Sequence, residues 1–196
     1  ILTVGAAATS RLPGDLRVTR HVQDLGSWYE PLAEAARAIT TTQTVLVLGA
    51  VLGVTVWLLR ERLLGAVVLL TIAVLPFLQA GIKNFADRPR PSASLVDRRA
   101  TFTSESFPSG HTMSGATLLL LVVLVLTVTQ TRPTLRAQIL VPAGVILAVS
   151  MVGDVYLGMH WPSDVLGGLL WAAVLVSAAA LLGDFVARQT KKGPGA

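Results

Sequence analysis

Cysteine is absent from the sequence, and charged residues are scarce. The lack of cysteine excludes a disulfide framework and a metal site built on thiolates. Charged residues make up 14% of the 196 residues, whereas a typical soluble domain contains about 25%. A soluble helical bundle is therefore a poor match, because its exposed helix faces would carry charges every few residues.

The apolar residues are collected into long runs without any Asp, Glu, Lys or Arg. A helix needs about 20 apolar residues to cross the hydrocarbon core of a membrane, and four runs meet that length. A fifth run is slightly shorter and reaches it if it continues through Asp154 towards Met159. The runs are residues 38–59, 63–82, 112–131, 137–153 and 165–183. We predict an all-α, polytopic membrane helical bundle without β-sheet, because open sheet edges cannot be satisfied in lipid.

On this interpretation the chain divides into three parts. The first begins with Ile1–Thr9, which is apolar but too short to cross a membrane. It is expected to be the outer end of a first span, and the remnant of a cut signal peptide is the alternative. An amphipathic segment follows, in which Val18, Val22 and Leu25 recur at helical spacing. This spacing favours a helix in the membrane interface, and an ordinary solvated connector is the alternative. The three parts are residues 1–37, the catalytic membrane bundle at 38–187 and a basic tail at 188–196.

The net charge of +5 raises the question of a nucleic-acid partner. The basic residues, however, lie between the apolar runs, where anionic lipid headgroups are the more natural partner, and no nucleic-acid motif occurs. Lys and Arg are divided almost evenly between the two faces of the predicted bundle, so the positive-inside rule does not decide its orientation. We expect the bilayer as a partner and no nucleic acid, and the sequence gives no indication of an oligomeric state.

Three polar clusters border the apolar runs, and all three emerge on one side of the membrane because an even number of spans separates them. The clusters are Lys83–Pro91, Pro108–His111 and His160–Asp164. Lys and Arg supply positive charge for phosphate oxygens, and Arg offers a planar bidentate fork. Ser109 and Gly110 precede a helix start, where free N–H groups form an anion site.

The two histidines in these clusters complete a set of groups suited to a phosphate ester. One imidazole can act as a nucleophile and the other as a general acid, and Asp164 can hold one of them in the required tautomer. Each group also has an ordinary interpretation, since juxtamembrane bases are usually interfacial anchors and a Pro-Ser-Gly tract is a common turn. Their joint position on one face favours a catalytic role.

The clusters resemble the signature motifs of the type 2 phosphatidic acid phosphatase superfamily. The first motif of that family is Lys, six residues, Arg-Pro, and it is met by Lys83, Arg90 and Pro91. The second motif is Pro-Ser-Gly-His, and it is met in full by Pro108–His111. The resemblance covers roughly residues 40–185, and three motifs in this order are highly specific.

The third motif is met only in part. It consists of Ser-Arg, five residues, His, three residues, Asp, and His160 and Asp164 match its second half. Gly153 and Asp154 stand at the Ser-Arg positions. In the family that arginine helps to hold phosphate, and an acid has the wrong sign, so we interpret Asp154 as a lost phosphate ligand. The bases considered as its neutralising partner are Arg98, Arg99 and Arg90.

The resemblance implies a metal-independent, two-step mechanism without a cofactor. In that mechanism His160 attacks phosphorus and forms a phosphohistidine, Asp164 orients His160, and His111 protonates the leaving oxygen. The implied phosphate-binding groups are Lys83, Arg90, Ser109 and the Gly110 amide, with Arg88 and Asp154 as further candidates. The resemblance also implies a six-span bundle, with the first span largely missing here. Many bacterial members act on the outer leaflet, which implies a plasma-membrane protein with an extracytoplasmic active site.

The resulting hypothesis is a membrane lipid phosphatase that hydrolyses a lipid phosphate or pyrophosphate. Candidate substrates are undecaprenyl pyrophosphate, phosphatidylglycerol phosphate and phosphatidic acid. Two alternatives stay open. One is a lipid phosphotransferase that passes the phosphoryl group from the same intermediate to an alcohol. The other is a catalytically weakened membrane protein that only binds lipid phosphate, and Asp154 is the feature that favours it.

Overall fold

Residues 2–99 and 104–192 are described by the structure, a computed structural model. Within these ranges the chain forms eight α-helices, with one 3-10 turn at Ser27–Tyr29 between the second and third helices. The helices are α1 (Leu2–Ala8), α2 (Asp15–Gln23), α3 (Glu30–Thr40), α4 (Thr42–Leu58), α5 (Arg62–Ala86), α6 (Gly110–Val128), α7 (Pro133–Tyr156) and α8 (Pro162–Lys192). No strand occurs in the described ranges, and the prediction of an all-α protein is confirmed.

Four helices of the described chain are long and apolar enough to cross a membrane, namely α5, α6, α7 and the Pro162–Thr190 part of α8. A fifth span is obtained if Ser27–Thr40 and α4 are taken as one helix that is bent by 49°. These spans follow from the uncharged runs of the sequence, since each run is long enough to cover the hydrocarbon core. The predicted polytopic membrane bundle is therefore confirmed.

The run at 38–59 is not one straight helix, because the chain breaks at Thr41. Thr40 ends α3, and the Thr41 hydroxyl caps α4 by accepting a hydrogen bond from the Thr44 amide at 3.1 Å. A hydroxyl at this position satisfies one of the N–H groups that a helix start leaves free. The first residues of the predicted span thus belong to α3, the helix that also contains the last residues of the predicted first part, 1–37.

α3 packs chiefly against α7, and α2 lies against α7 and α8. The contact between α3 and α7 is close because Gly153 has no side chain. A Cβ on Gly153 would lie 2.8 Å from the Cβ of Ala33, well inside the roughly 3.5–4.0 Å of normal carbon contacts. The segment predicted as interfacial therefore contributes to the packed end of the bundle, and its location at the membrane interface stays a prediction.

α5 and α7 end, and α6 and α8 begin, at the end of the bundle that carries the three polar clusters. Ser109 caps α6, and its side chain accepts a hydrogen bond from the Thr112 amide at 3.2 Å. α8 approaches this cap closely, since a Cβ on Gly168 would lie 2.9 Å from the Ser109 carbonyl oxygen. Two of the three motifs are therefore held at helix starts that pack directly against each other.

The described part of the chain begins and ends in helices. α1 covers Leu2–Ala8 of the predicted first-span remnant, and Ile1 lies outside the described residues. α8 continues through Lys192, so residues 188–192 of the predicted tail are helical. An ion pair between Arg188 and Asp184, at 2.7 Å and one helical turn apart, favours this extension. Residues 193–196 of the tail lie outside the described residues.

Candidate active site

A cavity of about 300 Å³ lies where the three polar clusters meet. Five of the predicted site residues line it: Lys83, Arg90, Gly110, His111 and His160. The other four are buried and do not line it: Ser109, Asp164, Arg88 and Asp154. The rest of the lining comes from α3, the start of α4 and the loop before α6, with Arg37, Thr41, Thr42, Gln43 and Ser104. The two histidines and the bases of different helices thus share one cavity.

His160 is only 2% exposed and lies in the short connection between α7 and α8. Burial lowers the pKa of His160 below its usual range, against the opposing effect of Asp164. Its Nε2 atom is 3.3 Å from Nη1 of Arg90 on the cavity wall. Its Nδ1 atom is 3.7 Å from Oδ2 of Asp164 and has no hydrogen-bond partner among the described residues. A neutral imidazole with Nε2 towards the cavity has the form that a nucleophile requires.

The distance between His160 and Asp164 is longer than a hydrogen bond, although catalytic hydrogen bonds often tighten only when substrate is bound. The carboxylate itself is held firmly. Its Oδ2 accepts hydrogen bonds from the Ser106 hydroxyl at 2.5 Å and from the Trp161 amide at 2.8 Å. Its Oδ1 accepts one from Arg88 at 2.5 Å. These donors fix the carboxylate beside the imidazole edge that faces away from the cavity.

Arg88 is 1% exposed and links Asp164 to the N-terminal part of the chain. It donates to Asp15 on α2 at 2.9 Å and to the hydroxyl of Ser163 at 2.7 Å. Asp15 in turn accepts hydrogen bonds from the amide and the hydroxyl of Ser163. Arg88 therefore neutralises two buried carboxylates and positions Asp164, and it does not line the cavity.

Lys83 and Arg90 line the cavity, and backbone carbonyls of the loop before α6 orient both. The Lys83 ammonium donates to the Glu105 carbonyl at 2.5 Å. Arg90 donates to the Ser104 carbonyl at 2.8 Å and to the Met159 carbonyl at 2.8 Å. Neutral carbonyl acceptors such as these leave the bases able to form charge-assisted hydrogen bonds with an anion in the cavity.

Ser109 and Gly110 form the start of α6. Gly110 lines the cavity, at a helix N-terminus where free N–H groups favour an anion. The Ser109 hydroxyl instead donates a short hydrogen bond to Asp154, while its amide donates to the Asp164 carbonyl at 3.0 Å. Ser109 would have to exchange its bond to Asp154 for one to a phosphate oxygen in order to bind substrate.

Asp154 is fully buried in the last turn of α7. Its Oδ1 atom accepts a hydrogen bond from Nε of Arg37 at 2.8 Å and lies 3.9 Å from Nδ1 of His111. Nη2 of Arg37 is 3.4 Å from both ring nitrogens of His111. The base paired with Asp154 is thus Arg37 on α3, a residue that the sequence analysis did not consider.

Sequence reasoning missed eight residues that line or support this site: Asp15, Arg37, Thr41, Thr42, Gln43, Ser104, Ser106 and Ser163. Asp15 and Arg37 lie in a segment that was interpreted as interfacial and that carries no motif. The serines flank motif residues, and Ser163 sits between His160 and Asp164 in the third cluster. One signal was available from physical chemistry. A buried ion pair is favourable only if further hydrogen bonds satisfy its remaining donors and acceptors, so a buried pair of Arg88 and Asp164 requires additional polar partners.

The structure defines a class of protein. It is an integral membrane helical bundle whose polar end carries two histidines, each beside a buried aspartate, around a cavity rich in Lys and Arg. The comparison with families makes the assignment specific. The model of the PAP2 superfamily matches residues 64–186, and the chain therefore belongs to the PAP2 superfamily, the family predicted from the motifs.

Individual relatives agree with this assignment. The chain is similar to phosphatidylglycerophosphatase B of Bacillus subtilis (strain 168), with 27% identity over 144 residues that cover 72% of this chain and 68% of the relative. It resembles the crystal structure of a transmembrane PAP2-type phosphatidylglycerolphosphate phosphatase from Bacillus subtilis, with a TM-score of 0.78, 21% identity, and 94% and 93% of the two chains covered. It also resembles the crystal structure of Aquifex aeolicus LpxE, with a TM-score of 0.68, 17% identity, and 87% and 97% covered.

Proposed function

We propose that this protein is a membrane lipid phosphatase that hydrolyses a lipid phosphate or pyrophosphate through a phosphohistidine on His160. One observation carries the proposal. A buried histidine presents Nε2 to a cavity that Lys83 and Arg90 line, and His111 lines the same cavity. Family membership, which rests on residues 64–186, supports the same chemistry.

The first step joins Nε2 of His160 to phosphorus and breaks the bond between phosphorus and the lipid oxygen. His111 gives its proton to that oxygen, so that the lipid leaves as a neutral alcohol, or as a monophosphate if the substrate is a pyrophosphate. The positive charge that develops on the His160 ring is stabilised by Asp164, whose carboxylate is 3.7 Å from Nδ1. General acid catalysis of this kind contributes about 10²–10⁴-fold to a rate.

The second step returns the enzyme to its starting state. His111, now neutral, accepts a proton from a water molecule, and the water oxygen attacks phosphorus as the bond between phosphorus and Nε2 breaks. Inorganic phosphate leaves the cavity. In both steps Lys83, Arg90 and the Gly110 amide stabilise the equatorial oxygens, because charge-assisted hydrogen bonds are the strong ones in a water-poor site.

The substrate is an amphiphile, because the cavity lies at the polar end of a membrane bundle whose other surfaces are apolar helices. Similarity to phosphatidylglycerophosphatase B makes phosphatidylglycerol phosphate the first candidate, followed by undecaprenyl pyrophosphate and phosphatidic acid. We further propose that the protein resides in a bacterial plasma membrane with this cavity on the extracytoplasmic side.

Phosphate release from these three lipids, measured with EDTA present, tests the proposal. His160→Ala should abolish release, and His21→Ala is the matched control because His21 is an exposed histidine of α2 that does not line the cavity. During turnover the protein should become covalently labelled with phosphate through an acid-labile bond. This labelling should be absent from His160→Ala. Near-normal turnover in His160→Ala would refute the covalent mechanism. Transfer of the phosphoryl group to added glycerol in place of water would identify a phosphotransferase.

A further inference from the structure

Arg37 is the third guanidinium or ammonium group on the cavity wall, beside Lys83 and Arg90. It lies in the last turn of α3, outside the three motifs, and its side chain is 11% exposed. Its hydrogen bonds to the described residues are made by Nε, to Asp154, and by Nη2, to His111. Among the described residues Nη1 has no hydrogen-bond partner. One edge of the guanidinium is thus anchored, while the other remains available to an anion in the cavity.

Asp154 is the anchor of this arginine. The carboxylate is fully buried and accepts hydrogen bonds from the Ser109 hydroxyl on one oxygen and from Nε of Arg37 on the other. A carboxylate that binds Nε fixes the plane of the guanidinium and leaves its far edge free to make parallel hydrogen bonds to phosphate. Asp154, an acid with the wrong sign for binding phosphate itself, therefore orients the guanidinium of Arg37.

Gly153 explains how the arginine reaches the cavity. Ala33 lies one helical turn before Arg37 on α3, and it packs so closely on Gly153 that a Cβ there would be 2.8 Å from the Ala33 Cβ. α3 can approach α7 to this distance only because residue 153 has no side chain. The two departures from the third motif thus act together. Gly153 allows α3 to pack closely on α7, and Asp154 accepts a hydrogen bond from Arg37 of α3.

We propose that Arg37 is a phosphate-binding residue of this active site and supplies from α3 the positive charge that the chain lacks at position 154. This inference rests on the proposed function for the identity of the substrate, a phosphate monoester or diphosphate, but not for the binding of phosphate itself. Arg37 binds a nonbridging oxygen through its Nη edge, next to the histidine that protonates the leaving group. The site then offers three cations to the anion, from α3, α5 and the loop after α5.

A purely structural role for Arg37 is the competing interpretation, since a buried carboxylate needs a neutralising partner. The two roles are separated by a variant that removes both charges at once. Arg37→Gln/Asp154→Asn leaves the net charge unchanged and leaves no unpaired buried carboxylate. If Arg37 only neutralises Asp154, this double variant should bind phosphate as well as the single variant Asp154→Asn, from which it differs only at residue 37.

The measurement is the affinity of the detergent-solubilised full chain for inorganic phosphate, obtained from the rise in Tm with phosphate concentration. We expect the double variant to bind phosphate about tenfold more weakly than Asp154→Asn, or weaker still, as for one lost charge-assisted contact. Arg17→Gln is the matched control, because Arg17 is an exposed arginine of α2 that does not line this cavity, and it should bind like the unmodified protein. Equal affinities for Asp154→Asn and the double variant would overturn the inference, as would the absence of saturable phosphate binding by the unmodified protein.

The same preparations keep this inference distinct from the proposed function. Phosphate affinity that depends on Arg37, in a protein that releases no phosphate from any lipid, would support the role of Arg37 and refute the phosphatase. Lipid hydrolysis together with a phosphate affinity that does not depend on Arg37 would support the phosphatase and refute the role of Arg37. A second double variant, Arg37→Ala/Asp154→Arg, moves the guanidinium from α3 to α7. A phosphate affinity above that of Arg37→Ala/Asp154→Asn, which has neither charge, would further support a phosphate-binding role.

Discussion

Gly153→Ala should weaken catalysis by moving α3 away from α7, although the substituted residue touches neither the cavity nor the substrate. The added Cβ would start 2.8 Å from the Ala33 Cβ and 3.2 Å from its Cα. Relaxing these contacts to about 3.5–4.0 Å requires α3 to shift by about 1 Å. Since Arg37 lies one turn beyond Ala33, its guanidinium would move by a similar distance relative to the histidines.

The size of the effect follows from this displacement. A misplacement of about 1 Å can cost about 10²-fold in rate, and overpacking typically costs about 1–3 kcal/mol of stability. We therefore expect kcat/KM for lipid phosphate to fall by about 10- to 100-fold, with a parallel loss of phosphate affinity. The assay is phosphate release at several substrate concentrations, with inhibition by inorganic phosphate measured on the same samples.

Gly144→Ala is the matched control for this experiment. Gly144 lies on the same helix, and a Cβ there would meet no atom within 4 Å, so the same methyl group is added without a clash. Gly144→Ala should retain normal kinetics. If Gly153→Ala and Gly144→Ala had the same kcat/KM and the same phosphate inhibition, the close approach of α3 would not be what positions Arg37.

Three further predictions concern the histidines and the source of positive charge. His111→Ala should lower phosphate release by about 10²–10⁴-fold, and the loss should shrink for an aryl phosphate with a good leaving group; an equal loss for both substrates would contradict a general acid role. Because burial lowers the pKa of His160, its imidazole should be neutral at pH 7 and gain a proton only below about pH 6.5, the usual pKa of histidine. NMR titration can follow this protonation, with His160→Gln to assign the signal. A titration midpoint above about 6.5 would contradict the prediction. Activity should be unchanged in EDTA, because Lys83 and Arg90 supply the charge that a metal would bring, and a chelator-sensitive enzyme rescued by one specific metal would refute that reasoning.

The membrane helices were predictable because hydrocarbon imposes a simple requirement on the sequence. Four of the uncharged runs each correspond to one helix, since a span needs about 20 apolar residues. Three of these runs match their helix to within four residues at both ends, while α8 continues to Lys192, well beyond the run 165–183. The break at Thr41 was not predicted, because the run 38–59 contains no charge to mark it. A signal was nevertheless present in the three consecutive threonines at 40–42, a residue type that competes for helix N–H groups and favours caps.

The cavity-lining residues of the motifs were predictable for a different reason. Lys83, His111 and His160 stand at helix ends in fixed spacing, so local sequence determines their position. Asp15 and Arg37 meet their partners Arg88 and Asp154 only through the packing of α2 and α3. Sequence separations of 73 and 117 residues carry no local pattern, and these contacts could be found only in the folded chain.

The ion pair between Arg88 and Asp15 also bears on where the functional unit of this chain begins. The family model recognises residues 64–186, and that segment alone contains every motif residue. Yet Arg88 and Asp154 are both buried, and each has an ion-pair partner upstream of residue 64. Removing one member of a buried pair typically costs about 3–5 kcal/mol, comparable to a large share of the stability of a small domain. A fragment that begins at residue 64 would therefore keep every motif residue but lose the ion-pair partners of Arg88 and Asp154. The folded unit of this enzyme thus extends well upstream of the segment that the family model matches.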